Sequence, residues 1–339
     1  MFIILDCGTT NIKCYLTQNE TIIFSTSKPC NSRKSGKDGA KHAYQQVLKD
    51  VVMLALAEAQ KVSLHVDAII AFGMISSDVG LMVVPHLTAP VSLDQLREGI
   101  FRVEDTTFLG VQLPFYLIRG VKNALEYERH IENIFVCDFM RGEETQIMGL
   151  LKTYEIRCKC NVITLSSHCK ISHVDESASI VRSLTTMSGQ IFDCIMNNTI
   201  VGKSIDTSND KSTTSTIDEM IDLAKRADDE FGLMRTLLLP RFMENFTTLS
   251  PMDRRIFLEA VLSIEDTKAL RQYYGTGRWS APKTFIIGQP FRSEIFSRMY
   301  ASVAPETEIV VLDDARIKEI SVTGAQLIFN NNTICGGSR

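Results

Sequence analysis

An acidic residue at the tip of an apolar strand opens the chain. Phe2-Ile3-Ile4-Leu5 runs into Asp6, and Cys7-Gly8-Thr9-Thr10-Asn11 then turns into a second strand, Ile12 to Leu16. A glycine-threonine turn of this kind presents backbone N–H groups and hydroxyls, the donors that polyphosphate oxygens need. Asp6 would repel phosphate directly, so its chemistry is to hold Mg²⁺, a hard, oxygen-seeking ion that keeps much of its water. Taken alone, Asp-x-Gly is also ordinary turn chemistry. Three further segments add to the case. Asp138-Phe139-Met140-Arg141-Gly142 leads into Glu143-Glu144-Thr145-Gln146, an acidic helix start able to take a proton from a hydroxyl. Ser166-Ser167-His168-Cys169-Lys170 is a second hydroxylic turn, and Gly288-Gln289 ends a later strand. Together these are the parts of a split kinase: two turns to pinch a triphosphate, an acid for the acceptor and a glycine turn to admit a flat base.

Strands and helices must present these groups. After a third strand, Thr21 to Ser25, and an exposed glycine-bearing loop, Asn31 to Lys41, residues 42–60 set Val47, Val51 and Leu54 at helical spacing. A strand from Asp67 to Phe72 follows. Another, Asn133 to Cys137, feeds the helix from Glu143 to Leu151, whose first-turn acids suit the positive end of the helix dipole. The second half repeats this traffic, without aligned identities. A strand from Asn161 to Leu165 enters the Ser166 turn, strands run to about Leu184, and a helix covers Met187 to Met196. Beyond a polar loop, Ser204 to Thr216, Thr216 caps a helix with Ile217, Met220, Ile221 and Ala224 on one packing face. Helices over 250–274, 291–303 and 316–329 and strands Thr284 to Ile287 and Glu308 to Leu312 complete the pattern. Strands alternating with helices mean mixed α/β layers.

With 339 residues, 45% hydrophobic and 22% charged, the chain can fill two domain cores. The division is expected at residues 1–140 and 141–339. A net charge of −4, with no basic run interleaved with aromatics, argues against nucleic acid as a partner. No basic leader precedes Asp6 and no apolar run approaches the roughly 20 residues of a membrane span, so no membrane is expected and the expected location is cytoplasmic. Nine scattered cysteines read as reduced, mostly buried thiols. Cys158, Cys160, His168, Cys169 and His173 crowd together but lack the paired short spacing of a zinc site. The chain has no G-x-x-x-x-G-K-[ST], no strand followed by G-x-G-x-x-G and no G-x-S-x-G, so P-loop and Rossmann readings lose their main support.

The segments LDCGTTNIKCYL (5–16), AFGMISSDVG (71–80), VPHLTAP (84–90), DFMRGEETQIMG (138–149), SSHCK (166–170) and MSGQIFDCIMNNTIVG (187–202) resemble, in order and spacing, the 2-dehydro-3-deoxygalactonokinase family. The Met-Arg-Gly-Glu-Glu-Thr-Gln block is the most specific of them, and the likeness continues less distinctly through IIGQ (286–289). The resemblance implies the α/β fold of the sugar kinase, actin and heat-shock chaperone superfamily: two RNase H-like domains, mixed sheets flanked by helices, with an ATP cleft between the domains. It implies transfer of the γ-phosphoryl of ATP, with Mg²⁺, to the 6-hydroxyl of 2-dehydro-3-deoxy-D-galactonate, a step of galactonate catabolism. The partner is then a small-molecule sugar acid, and the oligomeric state stays open, a homo-oligomer included.

On that resemblance Asp6 anchors Mg²⁺, and Gly8, Thr9 and Thr10 face the β- and γ-phosphates with Asn11 and Lys13 adjacent. Glu143 is the first choice for general base and Glu144 the second. Arg141 suits a sugar-acid carboxylate, which its planar fork can bind at two points. Ser167, His168 and Lys170 form the opposing phosphate turn, with Gly189 in the same set; Gly73, Met74 and Ser76 line the sugar side, and Gly288 and Gln289 the nucleoside side. Plainer readings exist: a helix-end ion network for Arg141 and the two glutamates, a hydrogen-bonded structural role for His168, core filling for Met74 and Met140. The chain also departs from the family pattern. Ser166 replaces a glycine and restricts the turn, Ser167 replaces threonine and Cys169 serine, and Gln190 stands for glutamate. Asp78 stands for arginine, reversing a charge near the sugar-acid side, and Arg119 stands for proline and could return a positive one. Two alternatives therefore accompany the leading reading: a kinase of another sugar or sugar acid, and a non-catalytic ATP-binding relative.

Overall fold

β1 (Phe2–Cys7) carries the unbroken apolar run Ile3-Ile4-Leu5, fully buried, as befits a central strand covered on both faces. The turn after it returns the chain as β2 (Asn11–Gln18), antiparallel with Asp6 opposite Lys13, and β3 (Thr21–Pro29) continues the meander at the edge, alternating exposed and half-buried residues. α1 (Lys37–Lys61) leads to β4 (Ala68–Gly73), parallel to β1 with Cys7 opposite Gly73. Then come β5 (Leu87–Thr88), α2 (Leu93–Glu98), β6 (Phe101–Val103), β7 (Phe115–Leu117), β8 (Val121–Lys122), β9 (Phe139–Met140) and α3 (Glu143–Thr153). The strands form a six-stranded sheet ordered β3-β2-β1-β4-β7-β6 and a small sheet ordered β5-β8-β9.

A second sheet is built on β10 (Cys160–Leu165), β11 (Cys169–Val174) and β12 (Ile180–Thr186). The helices α4 (Ser188–Asn198), α5 (Ile200–Ser204), α6 (Ile217–Thr236), α7 (Leu239–Phe246) and α8 (Pro251–Tyr274) intervene before β13 (Lys283–Gly288), α9 (Pro290–Val303) and β14 (Glu308–Leu312). This sheet is ordered β12-β11-β10-β13-β14, with β13 parallel to both its neighbours. In both sheets a run of three consecutive strands is joined, through its first member, to a later parallel strand. The likeness of the two halves is one of topology. Thr216 caps α6 with a reciprocal Glu219 bond, and Met220, Ile221 and Ala224 are buried in a core shared with Phe257, Ala260 and Val261 of α8.

This computed structural model describes residues 1–30, 37–125, 130–208, 211–274 and 280–329. They group into two compact units: the first takes Met1–Lys159, Val174–Ser183 and the chain from Ala315, the second Cys160–His173 and Leu184–Asp314. The grouping differs from a cut after residue 140 because α3 stays with the first unit, joined there by α10 (Asp314–Phe329). A Cβ on Gly149 would run into the Ile320 carbonyl and one on Gly324 into the Thr145 carbonyl, so the two helix backbones touch where both lack a side chain. Gln146 Nε2 adds a 3.2 Å hydrogen bond to Ser321.

Two local expectations change. The buried stripe of α1 is Leu48, Val51, Val52, Ala55 and Ala59, with Leu54 on the exposed side, so the packing face is rotated from the one expected. The segment Asn133 to Cys137 is no strand: a 3₁₀ turn covers Ile131–Phe135, with Ile131, Ile134 and Phe135 largely in solvent, and the strand before α3 is β9. Of the expected loop Asn31 to Lys41, residues 31–36 lie outside the described residues and α1 begins at Lys37; residues 209–210 of the Ser204 to Thr216 loop and Cys335 also lie outside them. Cys7, Cys14, Cys30, Cys160 and Cys169 are buried, and burial pushes the Cys14 thiol up to about 12. Among the described residues no helix is long and apolar enough to cross a membrane.

Candidate active site

In the first unit three backbone segments converge. A Cβ on Gly73 would stand 2.5 Å from the Cys7 carbonyl oxygen, and one on Gly142 would stand 3.3 Å from the Gly73 Cα. Both glycines have positive φ, +87° and +108°, where a side chain is strained. The end of β1, the turn after β4 and the start of α3 are thereby brought to one place. At the hairpin, Gly8 N–H donates to the Asn11 carbonyl at 2.9 Å, Asn11 Nδ2 donates to Thr10 Oγ1 at 3.2 Å, Gly8 and Thr9 are half-buried, and Thr10 and Asn11 are exposed. Lys13 Nζ lies 3.3 Å from Asp6 Oδ2, as the strand register dictates. Asp6 keeps 15% of its side chain exposed, enough for a hydrated cation. Among the described residues no three His, Cys, Asp or Glu side chains converge on a metal site, so an ion here would rely on one carboxylate, water and ligand oxygens, the donor set Mg²⁺ accepts.

The start of α3 divides its two acids. Glu144 is fully buried, and both its oxygens accept the Gly142 N–H, at 2.9 and 2.8 Å, while Thr145 Oγ1 donates at 3.2 Å. Burial, reinforced by the neighbouring Glu143 charge, pushes its carboxyl up to about 7. Glu143 is half-buried, and one oxygen accepts the Arg141 backbone N–H at 3.1 Å. Arg141 donates from Nη1 to Ser76 Oγ and from Nη2 to the Val84 carbonyl, both at 2.8 Å, with His86 Nδ1 at 3.5 Å. Burial lowers its pKa and so does nearby Arg119, while Glu144 and Asp78 act the other way. Ser76 Oγ in turn donates a hydrogen bond to the Gly73 carbonyl at 3.2 Å, and Met74 stands half-buried in the same turn. Met140 is buried.

The second unit assembles its own turn. Ser166 N–H donates to the His168 carbonyl at 3.0 Å; His168 contacts Ser167 Oγ at 3.3 Å through Nδ1 and Gln190 Nε2 at 3.0 Å through Nε2. Gly189 packs so closely that a Cβ would run into the Ser166 carbonyl. Leu165 pairs with Gly288, which sets Gly288 and the exposed Gln289, the residue before α9, beside the Ser166 turn. Lys170 is buried, with Nζ 2.5 Å from Thr185 Oγ1. His173, from the crowded Cys/His segment, binds Asn161 at 2.8 Å.

Beneath the turn lies a network that the sequence reading missed. Arg292 donates from Nη1 to the Ser166 carbonyl at 2.8 Å and from Nη2 to Ser188 Oγ at 2.6 Å, with Asp266 at 3.7 Å and Glu259 at 3.8 Å. Asp266 also accepts Thr186 and Ser188 hydroxyls. Burial pushes the Glu259 carboxyl up to about 6 and raises Asp266, with Arg292 opposing both shifts. Two signals were available. Arg292 falls in the first turn of a helix opened by Pro290, against the dipole, and Asp266 stands in line between the buried Leu262 and Leu270 of α8.

A sequence model of the family described as 2-keto-3-deoxy-galactonokinase matches residues 6–320. The 2-dehydro-3-deoxygalactonokinase of Escherichia coli K12 is 25% identical over 244 residues, 72% of this chain and 69% of that protein. A solved structure from Sinorhizobium meliloti, provisionally called a 2-dehydro-3-deoxygalactonokinase, has the same fold, with a TM-score of 0.70 at 17% identity over 99% of this chain and 100% of that one. The family match takes in the Asp6 hairpin, the acidic helix start and the Ser166 turn alike, and so the chain belongs to the 2-keto-3-deoxy-galactonokinase family, kinases that are phosphotransferases with an alcohol group as acceptor.

Proposed function

We propose that the chain transfers the γ-phosphoryl group of Mg-ATP to the 6-hydroxyl of 2-dehydro-3-deoxy-D-galactonate, in the cytoplasm, as a step of galactonate catabolism. The observation that carries this reading is the convergence of the Asp6 hairpin, the Gly73 turn and the Glu143 helix start in one unit. Gly8, Thr9 and Thr10 then donate to phosphate oxygens, and Ser167 and His168 do the same from the second turn. Gly288 and Gln289 face the nucleoside, with Gly189 fixing the turn beside them. Mg²⁺, held by Asp6, would neutralise charge on the phosphates. Glu143 is the base, because a base must reach the acceptor hydroxyl and Glu144 has no exposed surface. The acceptor oxygen bonds to the γ-phosphorus as the bond to ADP breaks, and its proton passes to Glu143. Arg141 draws in the acid's carboxylate.

ADP release by the purified protein, with Mg-ATP and a panel of sugar acids, tests the reading. Release is expected to depend on 2-dehydro-3-deoxy-D-galactonate, and none above background with that acid removes the proposal. A second reading, another sugar acid as acceptor, is favoured by Asp78, whose charge acts on Arg141; a clear preference for a different acid in the same panel would establish it.

A further inference from the structure

Two arginines grip one stretch of loop. Arg141 holds the Val84 carbonyl at 2.8 Å, while Arg119 donates from Nε to the Pro85 carbonyl at 2.7 Å and from Nη2 to the His86 carbonyl at 3.4 Å. Strand register brings them together: β8 pairs antiparallel with β9, Val121 opposite Met140, so the residues flanking those strands, 119–120 and 141–142, stand across from each other. Gly120 leaves the space, since a Cβ there would stand 2.8 Å from Arg141 Cγ. Among the described residues neither guanidinium makes an ion pair. Each spends only part of its five donors on the protein, and Arg119 also lines a groove of about 270 Å³, so its remaining edge meets open space. Two fixed cations, Arg119 close enough to lower the Arg141 pKa, both with spare donors and neither in an ion pair among the described residues, point to a receptor for an anion, with Glu98 on the wall of the Arg119 groove as a competing charge. Asp78, exposed and within range of Arg141, offsets part of this positive field, which favours one negative charge over two.

We propose that Arg119 and Arg141 together form the subsite for a single acceptor carboxylate, with Arg119 as a specificity-determining residue and Asp78 limiting the charge the subsite accepts. The inference rests on the sugar-acid reading above and deepens it. It is tested by steady-state kinetics with the acid acceptor and with its neutral counterpart carrying an alcohol in place of the carboxylate. Arg119→Gln is expected to raise KM for the acid by about tenfold or more, the worth of a charge-assisted hydrogen bond, to lower the preference for acid over neutral acceptor by the same factor, and to leave KM for ATP within about twofold. Arg119→Lys, which keeps the charge without the fork, should recover part of the loss. Asp78→Asn, at an exposed position where folding is not at stake, should lower KM for the acid. An unchanged acid preference in both Arg119→Gln and Asp78→Asn overturns the inference. Should the unaltered enzyme turn over no acid, the acceptor assignment fails instead. Equilibrium binding of the same acid without nucleotide then decides, since an affinity indifferent to Arg119→Gln overturns the subsite independently of turnover.

Discussion

Glu144 in the first unit and Asp266 in the second have both lost contact with water, yet their partners differ in kind. Glu144 is held by a backbone N–H and a hydroxyl at a helix start and makes no ion pair among the described residues. Asp266 is held by two hydroxyls and by Arg292, which also reaches Glu259. Burial and the neighbouring Glu143 charge, with no cation to oppose them, push the first acid up to about 7. Beside a guanidinium the second site is a braced ion network whose arginine also fixes the Ser166 turn. Burial raises the acids of both sites, Glu144 to about 7 and Glu259 to about 6, but only in the second does a cation oppose the shift and hold a turn as well.

The sharpest way to break this contrast is Glu143→Gln. Removing a general base should lower kcat by about 10²- to 10⁴-fold with little change in KM, whereas a loss of only a few fold would move the base elsewhere, Glu144→Gln being the companion measurement. Next in size is Arg292→Met, which strands Glu259 and Asp266 without their cation. Breaking a buried pair costs about 3–5 kcal/mol, read as a lower urea midpoint; unchanged stability would mean that the hydroxyls alone hold the network. Glu144 comes third. Its folded pKa of about 7 lies above the ordinary 4.5, so between those values the folded chain keeps a proton the unfolded chain has lost. Stability attributable to this group is full below about pH 4.5, falls by about 3 kcal/mol as pH rises to about 7, and levels off beyond. Unfolding of Glu144→Gln and the unaltered protein side by side from pH 5 to 8 should show the difference shifting in favour of the variant, and a pH-independent difference refutes the burial argument. The smallest effect belongs to Lys13→Met, whose partly exposed pair with Asp6 should alter stability by less than about 1 kcal/mol in urea unfolding.

The segments that converge in the first unit were legible in the sequence because local patterns mark them. An apolar run ending in Asp6, a glycine turn, and an acid pair after Gly142 are each contained in a few residues, and the structure brings all three together. Reading failed where a distant partner decides. Ile134-Phe135-Val136 has the β-branched and aromatic composition of a strand, yet among the described residues no strand pairs with it and a 3₁₀ turn covers Ile131–Phe135 instead. Arg292 became meaningful only once α8 supplied Glu259 and Asp266. The helical stripe of α1 had the right period and the wrong phase, because Val47 to Leu54 offers several apolar faces and only the sheet selects among them.

The mutual contact of Gly149 and Gly324 has a temporal meaning. The helix bearing both glutamates is clasped by residues 314–329, which leave the ribosome after the whole second unit. Domains usually fold in order of synthesis; here the hairpin sheet can form early, but α3 does not meet its partner helix until the second unit has been made. A chain cut before residue 314 would keep its opening hairpin and lack the helix against which the Glu143 helix is packed.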